Sequence, residues 1–138
     1  MESLMVKTIM RPAEIAIKKG VTLDIVSDHL TQYALPGLPV VDDEGTLVGY
    51  VSEYDCLKQL MQSTYYCDNT SLVEDVMSTT LITGSAELSV LDIASKMNTD
   101  KVNVLPLVDA RGKFVGCVSR GDVMRALVKE LESCNLPS

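Results

Sequence analysis

Tryptophan is absent from this chain, and histidine and phenylalanine occur once each. Ser-His and Cys-His nucleophiles both need an imidazole beside the attacking atom, and the lone His29, next to Leu30 in a helical pattern, reads as an ordinary helix residue. No catalytic residue is expected. The four cysteines, Cys56, Cys67, Cys117 and Cys134, are widely spaced and form no Cys-x-x-Cys pair, so they supply no metal-ligand set and read as buried, reduced thiols. Basic residues are scarce: 12 Lys and Arg stand against 19 Asp and Glu, for a net charge of −7. Without a basic cluster or an aromatic platform there is nothing to neutralise a phosphate backbone, which argues against a nucleic-acid partner. Long apolar runs are missing too, and Met1–Lys7 lacks the basic opening and apolar core of a signal peptide. Membrane insertion is therefore not expected, and a cytoplasmic location is.

What the chain does have is 46% hydrophobic residues over 138 positions, enough to bury roughly 68% of the surface an unfolded chain exposes. It is also one unit written twice. Shifted by 67 positions, Val6–Met61 aligns with Val73–Val128 without a gap. Identities fall on shape-setting residues, including Met10/Met77, Pro39/Pro106, Asp42/Asp109, Gly45/Gly112, Gly49/Gly116, Ser52/Ser119 and Asp55/Asp122. Each copy reads as strand, helix, strand, strand, helix, a mixed α/β (α+β) fold. The first strands are predicted at Ile15-Ala16-Ile17 and Leu81-Ile82-Thr83. Thr22 and Ser89 then N-cap helices with apolar stripes at Leu23, Val26, Leu30 and at Val90, Ile93, Met97. Leu38–Val41 with Leu47–Val51, and Leu105–Val108 with Phe114–Val118, form hairpins across Asp-to-Gly turns. A final helix in each copy presents one apolar face to its sheet. The first repeat, with an N-terminal segment, spans 1–62; a polar linker covers 63–71; the second repeat spans 72–131, and a frayed tail covers 132–138. A copy of this size is small for independent stability, so the two are expected to pack about a pseudo-twofold axis and leave two related clefts.

At the junction of last strand and last helix both copies carry Gly-x-Val-Ser-x-x-Asp, as Gly49–Asp55 and Gly116–Asp122. One reading is structural: Ser at an N-cap with an acid three residues on is a variant of the capping box. The other is binding. A helix N-terminus offers free N–H groups, a positive dipole end and a hydroxyl to a phosphate, while the carboxylate can accept hydrogen bonds from a ribose diol.

The duplicated pattern of apolar strand, Leu-Pro-Val-Val-Asp strand, acidic-Gly turn and Gly-x-Val-Ser-x-x-Asp resembles tandem CBS domains, the module named after cystathionine β-synthase, from Val6 to Leu131. The resemblance implies that Ser52 and Asp55, and Ser119 and Asp122, contact phosphate and ribose of an adenosine ligand. Leu38 and Pro39, and Val104, Leu105 and Pro106, would flank the adenine. Family members often place a Thr in the first strand facing the ligand; here it is Thr83 in the second copy but Ala16 in the first. The second copy also has Arg120 where the first has Glu53, and the first departs with Pro36-Gly37 against Asn103-Val104. The second site is therefore expected to be the stronger, although Arg120 could equally be a solvated helix-end residue. The implied function is a non-catalytic sensor of AMP, ADP, ATP or S-adenosylmethionine, needing no other cofactor. It would form a homodimer through its helices, with Leu57, Met61, Met124 and Val128 as candidate contacts, and act on an unidentified protein partner. The competing reading is a ligand-free dimerisation or docking module in which Ser52 and Ser119 serve only as caps.

Overall fold

The computed structural model describes residues 4–134. An N-terminal segment, with one turn of 3-10 helix at Val6–Thr8, leads into strand β1 (Arg11–Pro12). The first copy continues as β2 (Ile17–Lys18), α1 (Leu23–Tyr33), β3 (Gly37–Val41), β4 (Leu47–Ser52) and α2 (Glu53–Tyr66). The second comprises α3 (Val73–Val76), β5 (Gly84–Ser85), α4 (Val90–Asp100), β6 (Val104–Val108), β7 (Phe114–Ser119) and α5 (Arg120–Cys134). The order of elements in each copy is the one the duplication predicts.

Three local expectations need correction. The first strands are shorter and lie further along than Ile15–Ile17 and Leu81–Thr83: only Ile17–Lys18 and Gly84–Ser85 find parallel partners, on β3 and β6. Upstream, Ala13–Ile15 is a 3-10 turn and Leu81–Thr83 is irregular, because the chain there is crossing between the two sheets. Thr22 holds the N-cap position, but its hydroxyl donates to the Asp24 carboxylate rather than accepting from the backbone, whereas Ser89 Oγ does accept from Asp92 N at 3.1 Å. Finally, α2 runs to Tyr66, into the segment read as linker, and α5 runs to Cys134, into the segment read as tail; residues 135–138 of that tail lie outside the described residues.

The two sheets are β2-β3-β4 and β1-β7-β6-β5. The segment preceding each copy packs on the other. β1 pairs antiparallel with β7, Arg11 opposite Cys117, and Val6 is buried in the second copy's core. Reciprocally, Ser78 exchanges both backbone hydrogen bonds with Tyr50, at 2.8 and 2.9 Å, and Val73 is buried in the first copy's core. This exchange explains two of the repeated identities. Met77 lies so close over Gly49 that a Cβ there would sit 2.3 Å from its sulfur, and a Cβ at Gly116 would sit 2.5 Å from the Arg11 carbonyl and 2.9 Å from the Met10 sulfur. Met10/Met77 and Gly49/Gly116 are thus two halves of one crossed contact.

The hairpin turns behave as the Asp-to-Gly spacing predicts. Asp42 Oδ1 accepts from Glu44 N and Thr46 N, Asp109 Oδ1 accepts from Arg111 N and Lys113 N, and Gly45 and Gly112 take φ of +82° and +80°. The two turns also bond to each other, Leu47 N to Gly112 O at 3.2 Å and Phe114 N to Gly45 O at 3.0 Å, symmetry-equivalent contacts across the pseudo-twofold axis. The sheets meet along β3 and β6, and the helices cover their outer faces. Alternation along those strands sends Leu38 and Val40, and Leu105 and Leu107, fully into the cores.

Candidate functional site

A cleft of about 250 Å³ opens between the two sheets. One wall comes from the first copy: Pro36, Tyr50 on β4, and Ser52, Glu53 and Tyr54 at the β4–α2 junction. The other comes from the second copy: Ser78, Thr80, Leu81 and Ile82 of the crossing segment, Lys101–Val104, and Pro106. The same alternation that buries Leu105 turns Val104 and Pro106 into this cleft. Lys101 ends α4 in the left-handed conformation, φ 56°, and lines the opening. Tyr50 fits because its neighbour is glycine: a Cβ at Gly37 would lie 2.0 Å from the Tyr50 hydroxyl oxygen. In the second copy the pair is reversed in size, Val104 with Cys117. Burial, with the nearby carboxylates of Asp55 and Glu53, pushes the Tyr50 phenol up to about 12, so at neutral pH it is a neutral hydrogen-bonding group.

Both Ser-x-x-Asp pairs form complete capping boxes. Ser52 Oγ accepts from Asp55 N at 3.1 Å while Asp55 Oδ2 accepts from Ser52 N at 3.0 Å, and Ser119 with Asp122 repeats both bonds at the same distances. Beyond the cap the copies diverge. Arg11 donates from Nε to Asp122 Oδ2 at 2.9 Å, from Nη2 to Oδ1 at 3.1 Å, and from Nη1 to the Tyr33 carbonyl that ends α1 at 3.0 Å. Arg125 adds a bond to Asp122 Oδ1 at 2.6 Å. Burial opposes ionisation of Asp122, but the Arg11 hydrogen bond, the Ser119 amide and the Arg11 charge outweigh it and hold the carboxyl below its ordinary value; the same hydrogen bond raises Arg11. Asp55 has no ion pair among the described residues. The position equivalent to Arg11 in the first cleft is Ser78, which is short and uncharged.

Of the residues assigned from sequence, Ser52, Val104 and Pro106 converge on the open cleft, with Asp55 bonded behind Ser52. Leu38 and Leu105 do not flank it; they are core residues facing the helices. Pro39 is buried opposite Tyr50, and Ala16 packs on the first core. The second set does not come together as expected. Thr83 lines a separate cavity with Glu87 and Leu88, Arg120 lines a groove between α4 and α5, and Asp122 is held by two arginines. Sequence reasoning missed Tyr50, Leu81, Ile82 and Lys101; the one available signal was the unequal Gly37/Val104 and Tyr50/Cys117 positions in an otherwise matched repeat. The cysteines also need correction. Cys56 and Cys117 are buried and pushed up to about 11 and 12 by burial, which keeps them protonated, but Cys67 and Cys134 are exposed. No helix among the described residues is long and apolar enough to cross a membrane.

The sequence profile of the CBS domain matches residues 6–62 and 73–129. A CBS domain-containing protein of Dictyostelium discoideum is 28% identical and covers 94% of each chain. CBSX2, a chloroplastic CBS domain-containing protein of Arabidopsis thaliana, is 32% identical over 82% of this chain and 58% of its own length. The structure of CBSX2 with AMP superposes with a TM-score of 0.75 over 91% of this chain and 97% of that one. The CBS domain pair of protein MJ0100, solved with 5′-methylthioadenosine and S-adenosyl-L-methionine, gives 0.79 at 26% identity over 94% and 99%. Enzymes match over a fraction of their length: the chain spans 24% of a homoserine O-acetyltransferase of Methanococcoides burtonii.

Proposed function

The chain belongs to the CBS domain family, and from that premise we propose that it is a non-catalytic sensor that binds one adenosine nucleotide per chain in the cleft between its sheets, works as a homodimer and acts on a protein partner. The observation that carries this reading is the cleft's composition. Tyr50, Leu81, Ile82, Val104 and Pro106 make a flat apolar slot for a base, with Ser52, Ser78, Thr80 and Asn103 in reach of a sugar and Lys101 at the mouth for a phosphate. Its volume, about 250 Å³, is just under the roughly 300 Å³ at which small-molecule sites begin, which suits a monophosphate or an adenosyl group better than a triphosphate. Support comes also from CBSX2, solved with AMP, and from MJ0100, solved with adenosyl ligands. We place the ligand in the first-copy cleft because Arg11 already occupies the carboxylate that would take the ribose in the second. The homodimer is supported by a row of exposed apolar side chains on α2 and α5, with Leu57 56%, Met61 67%, Met124 64% and Val128 53% exposed.

Calorimetric titration with AMP, ADP, ATP and S-adenosylmethionine, with GMP as control, tests the proposal. One adenosyl ligand is expected to bind at one per chain, and Lys101→Ala to weaken AMP but not adenosine. At about 100 times its dissociation constant the ligand adds about 2.7 kcal/mol to stability, visible as a rise in Tm. Because both Ser-x-x-Asp pairs form complete caps, the competing reading is a docking module without a ligand. Absence of binding by any adenosyl compound at millimolar concentration would overturn the sensor reading.

A further inference from the structure

Tyr50 brings an unpaired polar atom into the cleft. Its backbone is fixed, because Tyr50 N and O both hydrogen-bond to Ser78. Its phenol oxygen has no hydrogen-bond partner among the described residues. No fully buried side-chain oxygen among those residues lacks a partner, so this one is reachable from the cleft. The ring runs along the strand pair, from Pro39, opposite Tyr50, toward Gly37, opposite Ser52. There the oxygen takes the space that a Cβ at Gly37 would need, 2.0 Å away. The hydroxyl therefore emerges beside Pro36 and Ser52 at the start of α2, the sugar end of the cleft, while the ring stays in the base slot. The second copy has Val104 and Cys117 at these two positions and offers no such hydroxyl.

The neighbours of this hydroxyl limit what it can read. The amides of Ser52, Glu53 and Asp55 are already bonded, to Asp55 Oδ2, the Pro36 carbonyl and Ser52 Oγ, so they are not offered to an anion. Glu53 adds a negative charge at the same place, which opposes a phosphate. A neutral group that both donates and accepts suits this end, and a ribose hydroxyl is such a group. A phenol also donates and accepts, so it can hold that hydroxyl together with Ser52. We propose that Tyr50 makes this cleft specific for ribose: its ring lies in the base slot, and its hydroxyl hydrogen-bonds a ribose hydroxyl of the bound nucleotide. The inference rests on the adenosyl-ligand reading above and adds the residue that selects the sugar.

Calorimetric titration of the parent chain and of Tyr50→Phe with AMP, 2′-deoxy-AMP and 3′-deoxy-AMP tests it. The parent should bind AMP about tenfold more tightly than at least one deoxy analogue, roughly the worth of one hydrogen bond in a partly desolvated site. In Tyr50→Phe that preference should disappear, because AMP weakens and the analogue does not. Without ligand the melting curves of the two chains should coincide, since the hydroxyl removed has no partner in the free protein. A role in folding alone would instead lower Tm and leave the ribose preference in place. Tyr50→Cys with Gly37→Val installs the second copy's own pair; it should lose the preference too, and it serves should Tyr50→Phe fail to fold. The assignment is overturned if the parent binds all three compounds alike, or if Tyr50→Phe keeps the parent's preference or weakens all three by the same factor; the nucleotide reading then still stands. A parent chain that binds none of the three at millimolar concentration overturns both.

Discussion

Replacing Arg11 by alanine removes the side chain that ties three elements together. Its guanidinium makes two bonds to Asp122 at the start of α5 and one to the carbonyl of Tyr33 at the end of α1, so it joins the second copy's last helix to the first copy's first. The pair is neither surface nor core, with the Arg11 side chain 27% and the Asp122 side chain 10% exposed. A fully exposed pair contributes less than about 1 kcal/mol, whereas breaking a buried one costs about 3–5 kcal/mol. Arg125 remains on Asp122 after the substitution, so the carboxylate is not left without a counter-charge. We therefore expect a loss of about 2–3 kcal/mol, and at roughly 4 °C per kcal/mol for a chain of this size a fall in Tm of about 8–12 °C. Arg11→Met keeps most of the aliphatic stem and separates packing from charge, and Arg11→Lys should recover less than half because an ammonium cannot make the bidentate contact. Urea denaturation followed by circular dichroism, in a double-mutant cycle with Asp122→Asn, should give a coupling of about 1–2 kcal/mol. If Arg11→Ala costs less than about 0.5 kcal/mol, as an ordinary surface substitution does, or if the cycle is additive, the claim that Arg11 pins the two copies is wrong.

The same pair sets an acid limit. The Asp122 carboxyl is held below its ordinary value of 3.8, so its contribution is complete at neutral pH and disappears as pH falls through the lower folded value; the gap in stability between the parent and Asp122→Asn should stay constant down to about pH 5 and close below that. Ala34 ends α1 exposed and in the left-handed region, φ 52°, where glycine is at ease, so Ala34→Gly should stabilise the chain by about 0.5–1 kcal/mol in urea titrations. Gly116→Ala drives a Cβ against the Arg11 backbone and should cost about 1–3 kcal/mol, while Gly49→Ala meets only the flexible Met77 side chain and should cost less; equal losses at the two positions would contradict the packing described.

The duplicated register carried most of the fold. It placed both hairpins, their Asp-to-Gly turns and the helices around them, because those features depend on neighbours a few residues apart. Contacts between distant residues left no such trace. Arg11 and Asp122 are 111 positions apart, and nothing in Met10-Arg11-Pro12 announces that it will pair with the other copy's sheet. The family resemblance puts Leu38 and Leu105 beside the adenine, and hydropathy cannot correct it, because both faces of β3 and β6 are apolar, one toward helices and one toward the other sheet. The open site was likewise legible in part. The Ser-x-x-Asp motif was found twice, but which copy is blocked depends on Arg11, and the aromatic that fills the open cleft depends on Gly37 giving it room.

The exchanged segments also dictate an order of assembly. During synthesis the first copy emerges whole in sequence yet lacks Val73 for its core and Ser78 for its sheet edge, and β1 waits unpaired until β7 has been made. The first copy can complete its core and sheet edge only once Val73 and Ser78 are made, and the second only when β7 is available, so closure of the whole should come late, with slow kinetics set by long-range pairing. A cut at residues 67–71 would leave each fragment holding a piece that belongs to the other. Such fragments should be poorly folded alone and recover native structure only when mixed.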